Sequence, residues 1–296
     1  MSKQNFSAAK PSASNDLRII HGDNLVVLPS VADLSIALIY IDPPFNTGKD
    51  QKRVRIRTIK DEDGDRIGFQ GQRYRTVNLS EACYSDAFGD RYLDFLEPRL
   101  CEAYRTLRDD GSLFFHIDSK EVHYCKVLLD QIFGRSSFMN EIIWSYDYGG
   151  RSKRRWPAKH DNILWYAKDP KRYTFNYEAM DRIPYMAPGL VGAEKARRGK
   201  TPTDVWWHTI VPTNSRERTA YPTQKPIGLL ERIVKVHSRP GDRLLDFFAG
   251  SGTFGEAAAK HGRNCTLIDE NPVAIRIMKK RLAHYNPVVE KAKRRR

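Results

Sequence analysis

Six consecutive apolar residues, Ile36-Ala37-Leu38-Ile39-Tyr40-Ile41, run without a polar break into Asp42-Pro43-Pro44-Phe45-Asn46-Thr47-Gly48. The run reads as a buried strand, and the two prolines, which have no N–H to give a ladder, end it in a stiff loop. A carboxylate, a rigid pair of carbonyls without ladder partners and an aromatic ring then face one small space. That set suits a flat group bearing an amino substituent. An Asp oxygen and a Pro carbonyl each accept one N–H, while the Phe45 ring stacks on the heterocycle. An Asp-Pro pair alone is most often a plain turn; the whole five-residue run after an apolar strand is much rarer.

The chain around this strand alternates between strand and helix patterns. Residues 17–20 read as a short strand that ends in the turn His21-Gly22-Asp23, with a helical connection from Asn24 to Leu28. Asp23 suits a cap on the following helix. Apolar residues recur at helical intervals over 92–107, where Asp110-Gly111 closes the element. A buried strand over 112–117, a helix over 121–133 and strands over 140–144 and 161–167 follow. His116 and Asp118 share a strand face by geometry alone and are read as structural.

Near the C-terminus, Tyr221-Pro222-Thr223-Gln224-Lys225-Pro226 leads into an amphipathic helix over 229–237. A strand over 243–248, carrying Asp246 and Phe248, then feeds the turn Gly250-Ser251-Gly252-Thr253-Phe254-Gly255 at the start of a further helix. Strand, glycine turn and helix in that order make a nucleotide-like site. The spacing also fits a dinucleotide fingerprint, so an NAD-linked enzyme is the rival reading. Only 41 residues follow Gly255, so the sheet partners of this strand must come from upstream, including the strand that ends in Asp42. A further strand over 265–269 ends in Asp269, whose carboxylate can accept from two ribose hydroxyls.

Taken together, these stretches resemble the amino-methylating DNA methyltransferases, which act on adenine N6 or cytosine N4. The likeness covers roughly residues 17–285 and follows the family's permuted order, with the catalytic motif first, a recognition region in the middle and the cofactor loop last. It implies a Rossmann-like α/β methyltransferase fold with a mostly parallel sheet and an inserted target-recognition module. S-adenosylmethionine is the implied cofactor, with no metal. Asp42, Pro43, Pro44 and Phe45 are the implied catalytic residues. Asp23 would lie against the cofactor adenine, Asp269 on the ribose, and Asp246, Thr223 and Lys225 at the methionine end, with Phe248, Gly250, Gly252 and Thr253 around them. An Asp at position 42 points to adenine; cytosine N4 is the alternative. A basic DNA-binding protein without activity would need a damaged motif, and none is seen.

Composition agrees with a polyanionic partner: the formal net charge is +14 and the pI about 9.6. Basic residues interleave with aromatics from Tyr146 to His160, and Arg151, Lys153, Arg154, Arg155 and Lys159 are the candidate DNA contacts. Residues 49–84 read as an irregular basic insertion, either a segment ordered over DNA or a disordered one. Residues 169–218 lose the α/β regularity and form the expected recognition module, with Trp206 and Trp207 in its core. Residues 219–285 complete the cofactor half. Residues 1–16 and the basic tail 286–296 read as unstructured. Four cysteines without paired spacing point to free thiols in a reducing cytoplasm. No apolar run is long enough for a membrane helix and the N-terminus has no signal-peptide core. Duplex DNA is the expected partner, with a homodimer and a cognate restriction enzyme compatible with the resemblance.

Overall fold

The structure is a computed structural model that describes residues 16–48, 51–60, 63, 66–67, 73–84, 88–219 and 221–292; the expected disordered start falls almost wholly outside them. In chain order its first half comprises β1 (Leu17–His21), α1 (Asn24–Val27), β2 (Ile36–Ile41), β3 (Gln51–Lys60), β4 (Arg66–Ile67), β5 (Arg73–Tyr84), α2 (Tyr92–Thr106), β6 (Leu107–Ile117) and α3 (Val122–Phe133). The second half comprises β7 (Phe138–Ser145), β8 (His160–Ala167), α4 (Ala193–Arg198), β9 (Val205–Trp207), α5 (Ile227–His237), β10 (Arg243–Asp246), α6 (Thr253–Lys260), β11 (Asn264–Asp269), α7 (Pro272–Arg281) and β12 (Val288–Lys291).

Nine of the strands form one sheet in the order β12-β1-β11-β10-β2-β6-β8-β7-β9. Pairing is parallel from β12 through β6 and again between β7 and β9; only β8 runs antiparallel to its neighbours. Strand β2 is buried along its whole length because helices cover both faces. Leu38 and Tyr40 pack on the side of α5, α6 and α7. Ile39 and Ile41 pack on the side of α2 and α3. Fully burying one such side chain is worth about 1.5–3 kcal/mol, so this strand anchors both layers. The sheet and its two helical layers are those of the expected mostly parallel methyltransferase fold.

Several local expectations are corrected. The described residues between 51 and 84 are not irregular: β3, β4 and β5 form a separate antiparallel sheet in the order β3-β5-β4. Its signal was the alternation around Val54 and Ile56, which the density of arginines obscures. The helix before β6 stops at Thr106, and Asp110-Gly111 lies inside the strand instead of closing the helix. The β2–β6 register shifts there, and a Cβ on Gly111 would come within 3.0 Å of the Ile36 carbonyl oxygen. Part of the tail folds as β12, which pairs with β1 and places Glu290 2.9 Å from Arg18.

Residues 169–218 are stitched to the main body. Strand β9 extends the sheet beside β7, and the Asp181 carboxylate bridges Arg232 and Lys235 of α5. Trp206 is buried, but Trp207 is 73% exposed, since neighbouring strand residues point to opposite faces. The expectation that both form a core holds only for Trp206.

Candidate active site

Strands β1, β11, β10 and β2 are adjacent and parallel, so their carboxyl ends converge on one edge of the sheet. Each brings an acid there. Asp269 and Asp246 are the last residues of β11 and β10, Asp42 follows β2, and Asp23 lies just past β1. All four line one cavity of about 250 Å³, together with Pro43, Pro44, Phe45, Thr223, Lys225, Phe248, Gly250 and Thr253. Residues some 200 positions apart in sequence thus meet because β10 pairs directly with β2, Leu244 against Leu38 and Leu245 against Ile39. Gly252 is set behind the wall. At φ 74° it caps α6, and a Cβ there would press on Met278 Cγ at 2.8 Å.

The glycine turn and the acids hold one another. One Asp269 oxygen accepts from the Gly250 N–H and the other from the Asn271 N–H, both at 2.8 Å. Burial pushes Asp269 up to about 6 despite these two bonds. Burial likewise holds Asp246 well above the usual carboxylate range; Asp42 and Asp269 add to the effect, while the Phe248 N–H, donating at 3.0 Å, opposes it. Asp23 serves both readings offered for it: it caps α1 by accepting from the Leu25 N–H at 2.9 Å, and it faces the cavity.

Arg99 was not legible as a site residue. It lies buried on α2 inside an ordinary helical pattern, yet it lines the cavity, donates to Asn24 Oδ1 at 2.7 Å and approaches Asp23 at 3.5 Å. Its guanidinium sits 3.8 Å over the Phe95 ring, which neighbours Phe248. Asn46 is the second such residue. At φ 54° its side-chain oxygen accepts from the Phe88 and Gly89 N–H groups, and its amide donates to Glu121. It pins the end of the proline loop, which Tyr92 also holds by donating to the Pro44 carbonyl at 2.5 Å.

Lys225 does not sit as the sequence suggested. Its ammonium donates to Asp42 Oδ2 at 2.6 Å and lies 4.8 Å from the Phe45 ring centroid, whereas it was expected at a carboxylate of the cofactor. The other oxygen, Asp42 Oδ1, is buried and has no hydrogen-bond partner among the described residues.

Beneath Phe45 lies a buried polar chain. The His116 ring stacks at 6.0 Å from Phe45 and is itself fixed by Tyr40 Oη at 2.8 Å and Asp161 Oδ2 at 3.1 Å. Tyr146 completes the chain by donating to Asp161 at 2.9 Å. Burial raises Asp161, but the hydrogen bond and charge of His116 outweigh it and hold the group below the usual range. The structural reading of His116 therefore stands with a different partner: Asp118 caps the start of α3 through the Lys120 and Glu121 N–H groups.

A second cavity of about 580 Å³ shares Phe45, Tyr221, Thr223, Gln224 and Lys225 with the first and is walled by Trp144, Tyr146, Tyr148 and Asp161. Above it runs the loop 146–159, closed by the Tyr146 N–H on the Lys159 carbonyl. Lys159 is corrected from DNA contact to loop clasp, since its ammonium donates to the Tyr148 and Gly150 carbonyls. Arg151 is engaged with Asp147. Lys153, Arg154 and Arg155 are exposed and form no ion pair among the described residues, and Trp156 beside them is 95% exposed. Among the described residues no group of three or more His, Cys, Asp or Glu side chains could hold a metal, and no helix is long and apolar enough to cross a membrane.

A family model described as DNA methylase, of the N6/N4 methyltransferase type, matches residues 36–280. The DNA adenine methyltransferase YhdJ of Escherichia coli (strain K12) is 31% identical over 90% of this chain and 84% of its own length. Among solved structures, the complex of M1.HpyAVI with SAM superposes with a TM-score of 0.58 at 19% identity, covering 90% of this chain and 98% of that one. The cytosine-N4-specific PvuII DNA methyltransferase gives 0.61 at 15% identity, over 94% and 96%. At these identities the two structures speak to the fold.

Proposed function

Because the chain belongs to the N6/N4 DNA methylase family, we propose that it transfers a methyl group from S-adenosylmethionine to N6 of an adenine turned out of duplex DNA. The observation that carries this reading is the junction of the two cavities: Phe45 and Lys225 line both, Asp42 lines the first and is bonded to Lys225, and Asp42 Oδ1 is a buried acceptor with no donor among the described residues.

The first cavity fits the cofactor. Asp269 is the acceptor for the ribose hydroxyls and Asp23 with Phe248 faces the adenine. Asp246, Thr223 and Thr253 hold the methionine end, and Gly250 lets the backbone approach closely, while Gly252 serves the turn from behind by its packing on Met278. Bound there, S-adenosylmethionine supplies an electrophilic methyl group on a sulfonium sulfur.

The second cavity receives the base. An amino group inside a duplex is paired and out of reach, so the nucleotide must leave the stack. The base stacks on Phe45, whose ring is backed by His116. Its amino group donates to Asp42 Oδ1 and to the Pro43 carbonyl, the Pro44 carbonyl being occupied by Tyr92. These bonds favour a pyramidal nitrogen, whose lone pair otherwise delocalises into the ring. A cofactor bound in the first cavity would supply the methyl group to this lone pair, its sulfur keeping the C–S electron pair, and the amino proton held by Asp42 Oδ1 would pass through that carboxylate to solvent. Residues 169–218, with the loop 146–159, carry target recognition in this reading.

Adenine is favoured over cytosine by the Asp at position 42 and by the similarity to a relative named as an adenine enzyme. Nucleoside mass spectrometry on plasmid methylated by the purified chain is expected to find N6-methyladenine. N4-methylcytosine alone would overturn the base assignment and leave the fold and the Asp42 mechanism standing.

A further inference from the structure

We propose that Lys225 is a positioning residue for methyl transfer, which holds Asp42 Oδ2 so that Oδ1 alone is presented to the amino group of the base. The inference rests on the reading of Asp42 as the acceptor for that group.

The pair is buried at both ends. Lys225 and Asp42 side chains are 7% and 18% exposed, and Nζ to Oδ2 is 2.6 Å. A carboxylate free at both oxygens can swing and offer either to a donor. One oxygen fixed by an ammonium leaves a single acceptor in a defined direction, and Oδ1 is the buried atom without a partner among the described residues. The same ammonium stands 4.8 Å from the Phe45 ring centroid, so one cation fixes both the hydrogen-bonding and the stacking element of the base pocket.

The described residues around Lys225 are held by hydrogen bonds and by the start of α5. Thr223 is held at φ 55°, a conformation costly for a β-branched residue. Gln224 accepts from the Thr219 N–H and hydroxyl and donates to the Glu217 carbonyl. Pro226 then starts α5 directly.

Charge balance opposes moving the ammonium to the cofactor. Asp42, Asp246 and Asp269 share one cavity, and Asp42 already raises Asp246. Withdrawing Lys225 would leave Asp42 buried beside another acid with no side-chain ion-pair partner among the described residues. Asp161 also feels the Lys225 charge, so the ammonium serves a cluster of acids around the base pocket.

The test compares the full chain with Lys225→Met, Lys225→Arg, Asp42→Asn and the Lys225→Met/Asp42→Asn double variant. Single-turnover transfer to plasmid DNA is measured at saturating S-adenosylmethionine, and cofactor affinity by calorimetry. Lys225→Met is expected to lose roughly 100-fold in transfer rate, the cost of a misplaced reacting group, with cofactor affinity unchanged. Lys225→Arg, which keeps a cation, should recover most of that loss and decides the matter if the Met variant does not fold. In the Asp42→Asn background, Lys225→Met should cost no more than about threefold, because the group it positions is already altered. Additive losses, or weaker cofactor binding with unchanged rate at saturation, would overturn the proposal. Full activity of Asp42→Asn would instead overturn the underlying reading of Asp42.

Discussion

At the residue scale, burial moves two of the acids at the strand ends, Asp246 and Asp269, upward. Asp269 is pushed up to about 6 by burial, so it is part-protonated in mildly acidic solution. An ionised carboxylate accepts from two hydroxyl donors, whereas a protonated one has lost acceptor capacity. Cofactor affinity should therefore be level above about pH 7 and fall towards tenfold per pH unit below about pH 6. Stability runs the other way. Because the folded-state value lies above the unfolded one near 3.9, the folded chain holds more protons between about pH 4 and 6, and the contribution of Asp269 to stability is lost as pH rises through that window. Calorimetry from pH 5 to 8 on the wild type and Asp269→Asn checks the binding arm: the variant should bind weakly at every pH and show little of the acid-side slope. An identical slope in both would assign the titration to another group. These acids were legible because each ends an apolar run. The pairing of Lys225 with Asp42 was not, for it joins residues 183 apart and leaves no local trace.

The elements show the same division between local and long-range information. Strands β2, β10 and β11 were readable from unbroken apolar runs that both helical layers then bury. Strands β9 and β12 were missed because three or four residues at a sheet edge carry too little pattern. The β3–β5 sheet was missed because charge on alternate residues reads as a solvated loop unless period is counted. The loop 146–159 stands out by composition, and its geometry separates its cations: Lys159 and Arg151 are spent within the loop, while Lys153, Arg154 and Arg155 are exposed without an ion pair among the described residues and are the ones proposed to meet a phosphate backbone. Changing these three to Ala should weaken DNA binding without altering cofactor affinity. The slope of log affinity against log salt should drop by about 2 to 3, as expected if each cation neutralises one phosphate. Fluorescence anisotropy across a salt series measures it, and an unchanged slope would remove this loop from the DNA interface.

For the whole molecule, chain order and spatial order are permuted relative to each other. The proline loop comes early, the glycine turn comes late, and the parallel pairing of β10 with β2 makes them one site. That adjacency was inferable from the sequence, since too few residues follow Gly255 to build a sheet downstream. The second cavity was not, because its walls come from β7, β8 and the segment around Thr209 to Arg218, and only tertiary packing brings them to Phe45. The central claim is that Asp42 belongs to the base side of this joint site and acts in transfer, not in holding the cofactor. It is tested most directly by following labelled methyl transfer from S-adenosylmethionine to DNA for the wild type and Asp42→Ala, with cofactor affinity measured on the same preparations. The account predicts amino-methylated DNA from the wild type and a loss of about 100-fold or more in the variant, with cofactor affinity retained. Near-normal transfer by Asp42→Ala, or a loss that merely follows lost cofactor binding, would contradict it.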